Sequence, residues 1–163
     1  MEFKKFKITG KSFTLRGNYT IHDDNDKEVY TVKGSPFLRK FTMFNTLGEE
    51  VLQIRRKVFS LRFTYFIYKD DQQMFKIVRA LGFRPSIFVE SLIESDAFVM
   101  QGNVWDSEYA FYQEDKEFAY VSKKMWSLSG NYGVAIAQGW EEDIVLAMVI
   151  IIDVIRRTKN RRR

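Results

Sequence analysis

The stretch Glu141-Glu142-Asp143-Ile144-Val145-Leu146-Ala147-Met148-Val149-Ile150-Ile151-Ile152-Asp153-Val154-Ile155-Arg156-Arg157 decides the fold of this chain. Its centre is apolar without alternation, so it needs apolar walls on every side. A central strand would meet that need mostly in parallel sheets. The ends favour a helix near 141–157. Glu141, Glu142 and Asp143 sit where a helix N-terminus favours acids, and Arg156, Arg157 and Lys159 where its C-terminus favours cations. Asp153 precedes Arg157 by one turn, an i,i+4 pairing expected to mark emergence from the apolar region. The residues from Ile144 to Ile155 would form a helix of about 18 Å, against a hydrocarbon core of ~30 Å. That is too short to span a membrane.

Upstream the pattern changes to two-fold alternation. Phe59, Leu61, Phe63, Tyr65 and Ile67 fall on one face, with Ser60, Arg62 and Thr64 on the other, which reads as a half-buried strand. Aromatic and β-branched residues are frequent, and only Pro36 and Pro85 interrupt them. Turn residues recur at short intervals: Asp23-Asp24-Asn25-Asp26, Leu47-Gly48, Asp70-Asp71, Gly102-Asn103, Glu114-Asp115. The resulting strands lie near 3–8, 12–22, 27–34, 37–44, 50–57, 59–68, 73–80, 86–93, 96–102, 107–114, 117–126 and 131–138. About twelve strands and one wholly apolar helix predict a mainly β fold, an antiparallel barrel closed around its buried C-terminal helix. With no Pro- or Ser-rich linker, residues 1–155 read as a single domain and 158–163 as a basic tail.

Composition narrows the function. The chain has 163 residues, no cysteine and one histidine, His22. Disulfide scaffolds, Cys-ligated zinc, iron–sulfur clusters and thiol nucleophiles are excluded, and His-dependent triads have little to draw on. No G-x-G-x-x-G, Walker A, G-x-S-x-G or H-E-x-x-H pattern occurs. The expectation is therefore a non-enzymatic chain with no catalytic residue, no cofactor and no metal site. The N-terminus carries charges without an apolar run after them, and with the lack of cysteine this fits a cytoplasmic protein. The formal net charge of +5 is unevenly placed. Arg156, Arg157, Lys159, Arg161, Arg162 and Arg163 account for more than all of it, leaving the preceding residues at about neutrality.

In its order of motifs the chain resembles the LURP-one-related family. The residues that carry the likeness are Tyr120-Val121-Ser122-Lys123-Lys124, then Tyr132 with Val134-Ala135-Ile136, then the acidic-to-apolar helix from Asp143 to Asp153. Upstream, Gly48-Glu49-Glu50-Val51-Leu52-Gln53-Ile54-Arg55-Arg56-Lys57 matches the family's G-x-x-[VL]-x-x-I-x-x-K strand, and Tyr19-Thr20-Ile21 precedes an acidic turn. The resemblance implies the tubby C-terminal fold, shared with phospholipid scramblases: a twelve-stranded barrel around a central apolar helix. It also implies phospholipid contact, since the tubby relatives bind phosphoinositide head groups. The palmitoylated cysteine segment of the scramblases has no counterpart in a chain without Cys.

Arg55, Arg56 and Lys57 form the densest basic cluster of the body, with Arg55 and Lys57 expected on one strand face and Arg56 on the other. Lys123 and Lys124 form a second cluster, and Arg156, Arg157, Arg161, Arg162 and Arg163 a third. All ten suit anionic phospholipid head groups, because guanidinium grips phosphate bidentately and basic residues are drawn to acidic membranes. Ordinary solvated surface charge is the competing reading of all three clusters. A protein partner, or nucleic acid recruited through the basic tail, stands as the alternative; nucleic acid is less favoured because no RNP-type or zinc-finger pattern accompanies the tail. Asp23, Asp24, Asp26 and Glu28 fail as a calcium loop, since Val29 and Ser35 stand where Gly and Glu are needed, and read as an Asx-type hairpin turn. Trp105, Trp126 and Trp140 read as packing.

Overall fold

The structure, a computed structural model, describes residues 2–10, 17–80, 86–93, 98–125 and 131–161. Twelve strands form one antiparallel sheet: β1 (Phe3–Gly10), β2 (Tyr19–Asp23), β3 (Glu28–Gly34), β4 (Lys40–Phe44), β5 (Glu50–Arg56), β6 (Thr64–Lys69), β7 (Gln72–Ala80), β8 (Ser86–Ser91), β9 (Phe98–Asn103), β10 (Glu108–Gln113), β11 (Lys116–Ser122) and β12 (Asn131–Ala137). The spatial order runs β8 back to β1, then β12 back to β9, so β1 and β12 pair and close most of the circle. One helix, α1 (Glu142–Arg161), occupies the lumen. This is the nearly closed barrel with a central C-terminal helix that the apolar stretch demanded.

Alternation explains the wall. Inward residues such as Phe6 and Ile8 on β1, Leu52 and Ile54 on β5, and Val134 and Ile136 on β12 are buried. Every residue of α1 from Ile144 to Ile155 is buried against them. A lumen filled in this way is a packed core, at about 1.5–3 kcal/mol per large apolar side chain removed from water. The acidic two-residue turns work because their backbones are left-handed at both positions: φ is +51° and +61° at Asp70 and Asp71, and +49° and +62° at Glu114 and Asp115. That twist suits the tight hairpin.

Four expectations are corrected. The strand expected over 59–68 begins only at Thr64, because Phe59 takes φ +61° and the Lys57 amide donates to the Thr64 carbonyl across a loop of 57–63. Phe59 and Leu61 continue the alternation in sequence but stand 102% and 94% exposed. The strand expected over 12–22 is described from Tyr19; residues 12–16 lie outside the described residues. Lys123 and Lys124 follow β11 in a short 3₁₀ turn rather than extending it. Asp153 does not mark emergence: it is 3% exposed, and α1 remains buried through Ile155.

Candidate functional site

Every neighbouring pair of strands is antiparallel, so connections alternate between the two ends of the barrel. Connections leading from odd to even strands lie at one end. Those leading from even to odd strands lie at the other, where α1 also begins. Among the described residues the two ends differ sharply in charge. The even-to-odd connections, with the link into α1, carry Asp24, Asp26, Glu49, Asp70 and Asp71, then Glu114, Asp115 and Glu141, against a single Lys27. The odd-to-even connections carry Arg39, Lys57, Arg62, Lys123 and Lys124 against a single Asp106. α1 ends at that same end, adding Arg156, Arg157, Lys159 and Arg161. The helix dipole has the same sense, positive at the acidic end and negative at the basic end.

At the acidic end three lysines of the flanking strands are paired. Lys4 lies 2.8 Å from Glu142, Lys7 2.7 Å from Asp26, and Lys69 2.8 Å from Asp143. Burial alone would lower the Lys69 pKa, but the hydrogen bond to Asp143 and nearby acids raise it instead. The Tyr30 hydroxyl donates to Glu142 at 2.9 Å, and burial with that contact raises its pKa. The aspartate turn is the expected Asx type: Asp23 Oδ1 accepts from the amides of Asn25 and Lys27 at 2.9 and 3.0 Å.

At the basic end three arginines lie against aromatic rings. Arg56 sits 4.5 Å from the Phe63 ring centre, and Arg79, at the end of β7, lies 5.8 Å from the same ring and 5.7 Å from Trp105. Arg39 lies 5.8 Å from Phe37. Among the described residues none of Arg39, Arg56 and Arg79, and none of Lys57, Arg62, Lys123 and Lys124, has a carboxylate within 4.0 Å. Cation–π contact holds a guanidinium in place without neutralising it. Hydrogen bonds to main-chain carbonyls brace the loops: the Arg56 amide donates to the Arg39 carbonyl at 2.8 Å, and the Tyr65 hydroxyl to the Leu38 carbonyl at 3.2 Å. Burial pushes the Tyr65 hydroxyl up to about 12. Beside these cations stand Phe37, Val58, Phe59 and Leu61, all exposed.

The expected site residues divide. Arg56, Lys57, Lys123 and Lys124 gather at the basic end. Arg55 points along the outer wall, stacked 4.4 Å from Tyr68 and donating twice to Gln53. Lys57 follows the end of β5, so the strand-face argument that joined it to Arg55 no longer applies. Arg156 and Arg157 are drawn into Asp153: Nη2 of Arg156 lies 2.8 Å from Oδ1, and Nε of Arg157 2.7 Å from Oδ2. The Tyr19 hydroxyl donates to Asp153 at 2.8 Å. Burial first, then the Asp153 charge, raise the pKa of Tyr19, Tyr109 and Tyr132 well above the ordinary value. For Arg157, burial works downward and the Asp153 charge overrides it. Gly10 lets β1 approach this knot, since a Cβ there would stand 3.1 Å from both Arg157 and the Tyr19 ring. Arg161 lies on α1's last turn, while Arg162, Arg163 and Trp126 fall outside the described residues. Trp140 stacks on Phe118 at 3.9 Å, as packing.

Sequence reasoning missed Arg39, Arg62 and Arg79 and the exposed Phe37, Phe59 and Leu61. Phe59, Leu61 and Arg62 share the loop that follows Lys57 but read as strand by their alternation, while Phe37, Arg39 and Arg79 reach the same end only through the strand order. Among the described residues no helix is long and apolar enough to cross a membrane.

Comparison with known proteins agrees with this architecture. An X-ray structure of a protein from Arabidopsis thaliana superposes with a TM-score of 0.66 at 18% identity, covering 93% of this chain and 91% of that one. At that identity the likeness speaks for the fold alone. No curated protein matches the chain. The LURP-one-related family model matches residues 4–153, from the first strand to the buried aspartate of the helix, and the chain belongs to that family.

Proposed function

We propose that the protein is a non-enzymatic binding module whose basic end meets anionic phospholipid head groups at a membrane surface. The observation that carries this reading is the coincidence, on one end of the barrel, of exposed apolar side chains and cations that, among the described residues, have no carboxylate within 4.0 Å. Lys57 and Arg62 flank Val58, Phe59 and Leu61 in a single loop. Each basic residue near an acidic bilayer contributes ~1 kcal/mol. An aromatic side chain that leaves water for the interface adds about 1.5–3 kcal/mol when fully buried. The acidic end, facing away, orients the barrel axis across the membrane plane. The paired Arg156 and Arg157 contribute through field rather than direct grip.

The apolar loop also separates this reading from nucleic acid, whose phosphates would use the cations and leave Phe59 and Leu61 in water. Sedimentation with vesicles of phosphatidylcholine, with and without phosphatidylserine, tests the proposal. Binding confined to the acidic vesicles, weakened by salt and by the Phe59→Ser change, is expected. Equal binding to both vesicles, or tight salt-sensitive binding to mixed oligonucleotides with none to acidic vesicles, overturns it.

A further inference from the structure

The loop of 57–63 holds a group that lipid contact leaves unused. It reads Lys57-Val58-Phe59-Ser60-Leu61-Arg62-Phe63, and Ser60 is its one hydroxyl. Main-chain bonds fix the loop at its base: the Lys57 amide donates to the Thr64 carbonyl at 2.8 Å, and the Arg79 amide to the Phe63 carbonyl at 2.9 Å. Between them 58–62 form turns and bends, with no strand or helix. Ser60 stands there between Phe59 and Leu61, whose side chains project into solvent. Its Oγ accepts from the Arg62 amide at 3.3 Å, a long and exposed bond that does not use the hydroxyl proton.

Among the described residues, the odd-to-even connections hold two other hydroxyls, and both are less available. Ser35 Oγ is tied to the Lys40 amide at 2.9 Å, and Ser107 is 4% exposed. The charge around Ser60 is also of one sign. From Val51 to Lys69 the chain holds no acid. Arg56 and Lys57 precede Ser60 by four and three positions, Leu61 follows it directly, and Arg62 comes next. A segment of that charge pattern is complementary to the acid-lined substrate cleft of a basic-directed serine kinase.

Resting on the lipid reading above, we propose that Ser60 is a phosphorylation site whose modification switches membrane contact off. The donor is a nucleoside triphosphate held by the kinase. Ser60 Oγ forms a bond to the γ-phosphorus. The bond from that phosphorus to the bridging oxygen breaks, and the nucleoside diphosphate leaves with the electron pair. The hydroxyl proton passes to the kinase's catalytic carboxylate. The product carries about −1.5 to −2 charges at neutral pH, which offsets the positive charges of Lys57 and Arg62. It acts in two ways. Its oxygens draw Lys57 and Arg62 onto the phosphate, and these are cations the bilayer would otherwise meet. A dianion fixed between Phe59 and Leu61 also keeps both side chains in water, because it would have to be desolvated with them.

The folded chain is treated with magnesium ATP and the catalytic domain of protein kinase C, and modified sites are mapped by tandem mass spectrometry. Phosphate at Ser60 is expected; its absence overturns the proposal. A chain carrying phosphoserine at position 60, installed during synthesis, is then sedimented with phosphatidylcholine–phosphatidylserine vesicles beside the unmodified chain. Offsetting two cations alone makes binding about thirtyfold weaker. Far-ultraviolet dichroism should be unchanged, and phosphatase should restore binding. Binding within about threefold of the unmodified chain, or a loss that phosphatase does not reverse, overturns the switch and leaves the lipid reading standing. If the unmodified chain ignores the acidic vesicles, the lipid reading falls first and the switch falls with it.

Discussion

The two ends of this barrel have the same construction and opposite electrostatics. At the acidic end, acids outnumber bases, and Lys4, Lys69 and Lys7 are drawn into pairs with Glu142, Asp143 and Asp26. At the basic end, three arginines lean on Phe37, Phe63 and Trp105, while the one buried acid, Asp153, serves the helix. Surface ion pairs contribute little, and a buried carboxylate shared by two guanidinium groups and a tyrosine is a different object. The acidic end thus holds the start of α1 through single ion pairs, one largely exposed at Lys4–Glu142 and one part-buried at Lys69–Asp143. The basic end clamps the other end of α1 through a buried knot, and its outer cations have no ion pair among the described residues.

The clamp gives the largest effect. Asp153→Ala strands Arg156, Arg157 and Tyr19 and should cost about 3–5 kcal/mol in chemical denaturation. A loss below ~1 kcal/mol would mean the knot is not the anchor. The same knot predicts alkaline lability. Tyr19, Tyr109 and Tyr132 have folded pKa values raised above those of the unfolded chain. Their contribution is complete below about pH 10 and declines as pH rises further, when the unfolded chain ionises first. Denaturation midpoints should fall above that pH, with tyrosinate absorbance rising together with unfolding rather than before it.

Next in size is the joint replacement of Arg39, Lys57 and Arg62 by glutamine. It should weaken binding to acidic vesicles by about 3 kcal/mol in total. Matching changes at the acidic end, Asp70→Asn with Asp71→Asn, should not weaken it; an equal loss at both ends would erase the distinction between them. Phe59→Ser should reduce vesicle binding by up to about 1.5–3 kcal/mol while leaving the unfolding midpoint within about 0.5 kcal/mol. The smallest effect belongs to Glu141→Ala, which removes the exposed partner of an anchor that Lys69 shares with the buried Asp143. It should cost about 1 kcal/mol or less, and a loss matching that of Asp153→Ala would break the comparison.

Legibility followed the range of the interactions. All twelve strands and the helix were readable because period-two alternation, turn residues and an uninterrupted apolar run are local signals. Errors arose where a local signal outlasted its cause. Phe59 and Leu61 keep the rhythm of β6 yet project into solvent, because the loop closes from Lys57 to Thr64. Asp153 looked like an exit from the core, yet the helix carries it inward to meet Tyr19, 134 positions away in sequence. The basic site was half legible. Arg56-Lys57 and Lys123-Lys124 are clusters in the chain, while Arg39 and Arg79 join them only through strand order.

By itself the sequence determined that α1 must be enclosed, since an all-round apolar helix bounded by acids and cations has no other stable place in water. It determined a β wall as the enclosure, because alternating residues supply one apolar face to line it. Tertiary structure decided which charges share an end. That depends on the parity of each connection in the antiparallel meander, a property of the whole circuit and of no single segment. It also decided that the wall stops short of closure between β8 and β9, because hydrogen bonding across that seam depends on how far the finished sheet curls.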